Sequence, residues 1–252
     1  MIHDPSMCRL GKLRAVHDPR TLRLARYLPR HLPPPPPAVD WTADMTTPLG
    51  MMLNDAIGDC TVATAGHMTQ VWTDRAGNPY VPADADILTA YEAISGYDPA
   101  TGRNDDGAVE LDVLKYWRKT GIAGRRIEAF VSVDPHQPEL IEQAVALFEG
   151  AYVGIALPTS AQDQDIWAVP AAGLRGDGEP GSWGGHAVPI VGYDADGLTV
   201  VTWGALKRMT WGFVAAYMDE AYAIISPDML ELDGRTPLEL DLTQLRADLD
   251  AL

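Results

Sequence analysis

The chain has only two cysteines, Cys8 and Cys60, among its 252 residues. Two thiols cannot build a disulfide framework, and the CxxC spacing of a structural zinc site is missing. Basic residues are scarce as well. The 19 Lys and Arg face 35 Asp and Glu, and the formal net charge of -16 argues against broad binding to nucleic acid or anionic lipid. No apolar run approaches the roughly 18 to 20 residues that cross a bilayer. The opening segment, MIHDPSMCRLGKLRAVHDPRTLRLARYLPR, lacks a signal peptide's apolar middle. These absences lead to the expectation of a cytoplasmic protein with no membrane or nucleic-acid partner and no metal or cofactor. No repeat of fixed period is present either. What is present is 46% apolar content, enough for a real core in a chain of this length.

The charge is unevenly spread. Residues 1–40 carry seven cations (Arg9, Lys12, Arg14, Arg20, Arg23, Arg26, Arg30) against three acids, which leaves 12 minus 32, or -20, for the other 212. Between arm and body lie five consecutive prolines, Pro33 to Pro37, which favour stiff polyproline II geometry. The arm, residues 1–37, is basic and amphipathic. It is expected either to lie across its own acidic body or to tether an acidic partner.

Beyond the prolines the pattern changes from helix to strand. Segments 60–73, 84–95 and 107–120 read as helices, the last with Val109, Val113, Tyr116 and Trp117 at helical spacing. One more helix is expected at 138–148. The runs 151–157, 186–194, 198–204 and 220–226 are β-rich, punctuated by Gly, Pro and Asp, and read as strands of a mostly antiparallel sheet. The fold class is therefore α+β: a helical lobe at 38–125, a β-sheet or barrel lobe at 126–230, and a cleft between them. The tail, 231–252, reads as an acidic helix with Leu242, Leu245, Leu249 and Leu252 on one face.

Cys60 follows the loop 53–59 and opens the first helix. A helix N-terminus stabilises a thiolate through its unpaired N–H groups and dipole, and Asp59 is placed to cap it. The alternative is a buried structural thiol. Among six histidines, His3, His17 and His31 lie in the arm, and His136 sits in a loop. His67 is seven residues along the helix from Cys60, about 10 Å away. His186 opens an apolar strand after a Gly-rich loop and can face a cleft. Asp98, Asn104, Asp105 and Asp106 do not have the spacing of a calcium loop and read as a solvated acidic segment.

The ordered marks Val39-Asp40-Trp41, Asn54, Cys60, Asp106-Gly107, His186-Ala187-Val188, Gly192-Tyr193, Trp203-Gly204 and Trp211-Gly212 resemble the papain family of cysteine peptidases over about residues 38–226. The resemblance implies a papain-like two-lobe fold. It implies Cys60 as nucleophile, His186 as general base and later acid, and Asn54 as the oxyanion-hole amide. Asn54 is one methylene shorter than the family's usual Gln. Where the family has an Asn that orients the histidine, this chain has Val201, and Thr202 is the nearest polar substitute. Asp106 and Gly107 fall where the family binds substrate backbone, and Trp183 and Gly185 are candidates for lining the cleft. Trp41, Trp117, Trp203 and Trp211 are expected to pack.

The implied activity is thiol hydrolysis of peptide or related amide bonds, with a peptide or protein as substrate. Two alternatives stay open: an acyl or amide transferase using the same pair, and an inactive papain-fold binding or assembly protein. The latter includes a phage structural component, which would then be virion-associated. High Ala, Asp, Arg and Pro usage suits a bacterial or phage origin.

Overall fold

The structure, a computed structural model, describes residues 7–28, 33–229 and 247–248. Three helices come first: α1 (Cys60–Arg75), α2 (Asp84–Ser95) and α3 (Glu110–Lys119). After a short strand β1 (Val39–Asp40) ahead of them, the sheet is built from β2 (Ala129–Val133), β3 (Ala151–Leu157), β4 (Ile166–Trp167), β5 (Gly184–Asp194), β6 (Gly197–Thr202), β7 (Ala205–Thr210) and β8 (Met218–Ile225). Helices α4 (Pro138–Phe148) and α5 (Trp211–Tyr217) interrupt it. Strand order is β2-β8-β3-β5-β6-β7-β4, with β1 paired to β5; the sheet does not close, and only β4 and β7 pair in parallel among the described strands.

Helix α1 is the pillar between the lobes, buried at every position but Arg75. It tolerates this because several of its polar side chains find partners within the interior, although Thr61 Oγ1, His67 Nδ1 and Gln70 Oε1 do not. Thr64, Thr69 and Thr73 hydroxyls donate to carbonyls four residues back, Gln70 Nε2 donates to Pro48 O at 2.9 Å, and the Asp74 carboxylate accepts from Thr46 and Thr47. One side of α1 packs on β5 and another on α2 and α3, where Trp72 stacks on Trp117 at 5.8 Å. Strand β3 reads as an unbroken apolar run because it lies between β5 and β8 in the middle of the sheet.

Several boundaries differ from the sequence expectation. The third helix starts at Glu110, since Gly107 adopts φ +88 and Val109 is extended, which leaves Ala108 to make an isolated bridge with Lys12. The 198–204 strand ends at Thr202, and Trp203-Gly204 forms a two-residue turn with both φ values positive, +45 and +71. Strand β7 (ALKRMT) was not anticipated because its Lys207 and Arg208 lie on half-exposed positions and break the apolar pattern. Helix α5 and the short strands β1, β2 and β4 were not anticipated either. The expected tail at 231–252 lies outside the described residues except for 247–248, where Asp248 accepts a bond from Tyr27. Among the described residues no helix is long and apolar enough to cross a membrane.

Candidate active site

Cys60 is the first residue of α1, 1% exposed, at the floor of the interface between α1 and β5. Its Sγ accepts the Ala187 backbone N–H at 3.4 Å. His186 and Ala187 belong to β5, and pairing of His186 with Ile155 of β3 fixes the backbone beneath the imidazole. The next strand brings the orienting group: Thr202 Oγ1 lies 2.7 Å from His186 Nε2. Strand alternation explains why Thr202 and not Val201 does this, because Val201 points to the other face and packs with Val71 and Val191. The positive-φ turn then folds Trp203 back onto the imidazole, stacked at 4.4 Å and 14°. A tryptophan in the left-handed region is strained, and such strain is tolerated where the surroundings enforce it. Trp183 packs on Trp203 in turn, at 5.6 Å.

Cys60 and His186 line one cavity of about 10 Å³ together with Asn54, His67, Thr202 and Trp203, at the lower limit for a single water. His186 Nδ1 has no hydrogen-bond partner. His67, excluded by distance along the helix, nevertheless borders this cavity, and burial lowers its pKa to about 4, so it is neutral. Burial likewise pulls His186 down to about 3 and pushes the Cys60 thiol up to about 12. In this closed arrangement burial thus works against the thiolate that the helix end would favour. Desolvation outweighs the Ala187 and Gly11 N–H groups that favour the thiolate. Asp59 stands at the N-cap position of α1, as expected, but its side chain makes no cap bond. It is fully buried, one oxygen takes the Asn54 amide at 3.2 Å, the other is unpartnered, and burial raises its pKa well above the carboxylate range.

Asn54 spends its amide on Asp59 and on the Ile57 carbonyl at 3.3 Å, so both N–H bonds are turned into its own loop and not toward a substrate. Asp105 accepts from Gly58 N and from Tyr91 OH, tying this loop to α2.

The cleft is sealed by the chain's own arm. Arg9 N donates to Asn54 O, Lys12 N to Gly185 O, Leu13 N to Ala108 O, and Ala108 N donates back to Gly11 O. Trp203 Nε1 donates to Arg9 O at 3.2 Å. The Gly11 backbone N–H faces Cys60 Sγ and favours its thiolate. No other residue fits, since a β-carbon on Gly11 would stand 1.7 Å from the Gly58 carbonyl oxygen. Of the candidate backbone-binding pair, Asp106 is exposed and does not pair with the arm; Ala108, two residues on, does so. Gly107 contributes clearance, for a β-carbon there would lie 2.0 Å from Gly11 O. Gly185 both accepts from the arm and leaves room for it, and Trp183 borders the site through Trp203. Sequence reasoning missed Ala108, the Ala187 N–H and the arm's seat, because backbone groups carry no side-chain signal. Among the described residues no group of three or more His, Cys, Asp or Glu side chains is arranged to hold a metal ion.

The fold is that of the papain-like cysteine proteases. Similar solved structures include xylellain, a cysteine protease from Xylella fastidiosa, with TM-score 0.67 and 16% identity over 90% of this chain and 99% of that one. Digestive procathepsin L 3 of Tenebrio molitor larval midgut aligns with TM-score 0.59 and 13% identity, covering 88% of this chain and 77% of that one. The Carica candamarcensis cysteine protease CMS1MS2, in complex with E-64, aligns with TM-score 0.52 and 14% identity over 76% and 99%. No family model matches the sequence, and no curated protein matches it.

Proposed function

We propose that the protein is a papain-like thiol hydrolase of peptide or related amide bonds, held latent by its N-terminal arm. The observation that carries this reading is the state of one ring: His186 Nε2 is engaged by Thr202, and Nδ1 is left unpartnered in the cavity it shares with Cys60. Once the arm lifts and water returns, Nδ1 takes the Cys60 proton. The thiolate attacks the substrate carbonyl carbon, and the Cys60 backbone N–H stabilises the oxyanion. The C–N bond then breaks, with His186 protonating the amine that leaves. Water, deprotonated by the same nitrogen, hydrolyses the thioester and regenerates the thiol. For Asn54 to join the oxyanion hole, its amide must turn away from Asp59.

The arm is poorly placed to be cut. Gly11 offers Cys60 an N–H and not a carbonyl carbon, and its carbonyl oxygen is held by Ala108 N. Displacement by a partner or by substrate fits this better than self-cleavage. The complete desolvation of the pair also favours a second reading, a papain-fold binding or assembly protein whose cleft never opens. A fluorogenic peptide amide separates the two. Hydrolysis by the Gly11→Ala chain, lost in the Cys60→Ala derivative, supports the hydrolase; no turnover across a broad peptide library supports the binding protein.

A further inference from the structure

The basic residues of the body are gathered in one place. Beyond residue 40 the chain has 12 Lys and Arg against 32 Asp and Glu, yet five of the 12 fall between Lys115 and Arg126, with no acid among them. Arg125 is engaged elsewhere, paired with Asp228 and laid over the Tyr80 ring at 4.4 Å. The other four, Lys115, Arg118, Lys119 and Arg126, line one open groove of about 610 Å³. Arg20 of the arm adds a fifth cation to its wall, and Phe130 of β2 supplies an apolar surface.

Part of this has a local cause. Arg118 and Lys119 stand in the last turn of α3, where cations meet the negative end of the helix dipole. The dipole does not account for Arg126, on the loop before β2, or for Arg20, which arrives from the arm. Like charges drawn together from three segments repel, so the arrangement favours an anion among them. One is already there. Asp18, half-buried, accepts from Arg20 Nε at 3.0 Å and Nη2 at 2.7 Å and from Lys115 Nζ at 3.1 Å. Those bonds hold its carboxyl well below the usual carboxylate range. Asp18 thereby bridges arm and α3, but it is one carboxylate against five cations, and no other acid lines the groove among the described residues.

We propose that this groove is a docking site for an acidic polypeptide segment, which extends the carboxylate bridge that Asp18 begins and ties the arm to α3. The groove has the volume of a site for a molecule of many atoms, and the carboxylate in place sets the chemistry of the occupant. A segment that touches Arg20 on the arm together with Lys119 and Arg126 on the body binds the closed form best and so stabilises it. The consequence for latency rests on the proposed role of the arm, whereas the docking itself does not.

The test is a titration of the full chain with fluorescein-Gly-Glu-Glu-Leu-Glu-Glu-Gly-amide, read by fluorescence anisotropy, beside the same peptide with Gln for Glu. The acidic peptide is expected to bind about tenfold more tightly, the worth of one charge-assisted bond, and to weaken as salt is raised. Lys119→Ala with Arg126→Ala should abolish that preference. Arg103→Ala with Arg175→Ala, both exposed and outside the groove, should keep it. Equal affinity for the two peptides, or equal losses in the two double variants, overturns the proposal. So does competition by tripolyphosphate or an eight-base oligothymidylate that matches the acidic peptide at the same ionic strength, since the groove would then be a phosphate site. Saturating acidic peptide should slow hydrogen exchange of the Arg9, Lys12 and Leu13 amides about tenfold in the natural chain and not in Arg20→Ala; exchange that ignores the peptide overturns the bridge between arm and body. None of these readouts needs turnover, so a chain that hydrolyses nothing and a chain that binds no acidic peptide are separate failures.

Discussion

Thr202 Oγ1 stands 2.7 Å from His186 Nε2, and the other ring nitrogen, Nδ1, meets no partner in the cavity beside Cys60. A hydroxyl can accept from Nε2–H, which selects the tautomer with its lone pair on Nδ1, the form a general base needs. It is neutral, so it orients the ring while contributing less to an imidazolium than a carboxylate would. Trp203 covers the pair and excludes water from that bond.

Thr202→Val should therefore lower kcat for peptide amide hydrolysis in the arm-released chain by about 10- to 100-fold, the worth of one bond to an ionised group. Thr202→Ser should retain most of the rate. A packing role alone would give the reverse order, because valine keeps the threonine shape and serine does not. The pH dependence of kcat/KM reads the same bond, since losing it should shift the limb that His186 controls.

Gly11→Ala should unseat the arm. Its β-carbon would fall 1.7 Å from Gly58 O, a contact with backbone that has no room to yield. The expected result is faster proteolytic cutting within residues 7–28 and faster Cys60 alkylation, with the fold of the body unchanged by circular dichroism. Gly107→Ala, 2.0 Å from Gly11 O and at φ +88, should open the seal from the other side at some cost in stability.

The seal should depend on pH through the pair it covers. Burial holds His186 near 3 in place of 6.5, so its contribution to the closed form is full above about 6.5 and declines as pH falls toward 3. Cys60, raised by burial from 9.0 to about 12, contributes fully below pH 9 and loses that contribution as pH climbs toward 12. Glu110 and Glu220, raised by burial, act in the opposite sense to His186 on the acid side. The His186 share is accordingly read as the difference between the natural chain and His186→Gln, with hydrogen exchange of the arm amides as the measurement. The natural chain should open more steeply below pH 6.5 than the variant; identical acid limbs would contradict the burial of a neutral imidazole.

Much of this site was legible because its parts announce themselves locally. Cys60 opens a helix, His186 lies near the start of the apolar strand β5, and Thr202 is the polar neighbour of a valine that strand alternation turns away. The arm's seat was not legible, since Arg9, Gly11 and Leu13 dock through backbone bonds to Asn54 and Ala108 that any sequence could make. Nor was the charge cluster around Lys12, whose Glu110, Asp219 and Glu220 come from α3 and β8, more than a hundred residues apart, and look like ordinary surface charges in the sequence. The burial that opposes a lowered thiol pKa in the closed form was not legible either, because position on a helix says nothing of what covers it.

The account stands on the claim that Cys60 and His186 become a reactive pair when the arm is lifted. Iodoacetamide alkylation of Cys60 against pH, in Gly11→Ala and in Gly11→Ala with His186→Ala, tests it most directly. The account predicts fast labelling well below pH 8 in the first protein and an ordinary thiol profile, with a midpoint near 8.5, in the second. The same ordinary profile in both would contradict it.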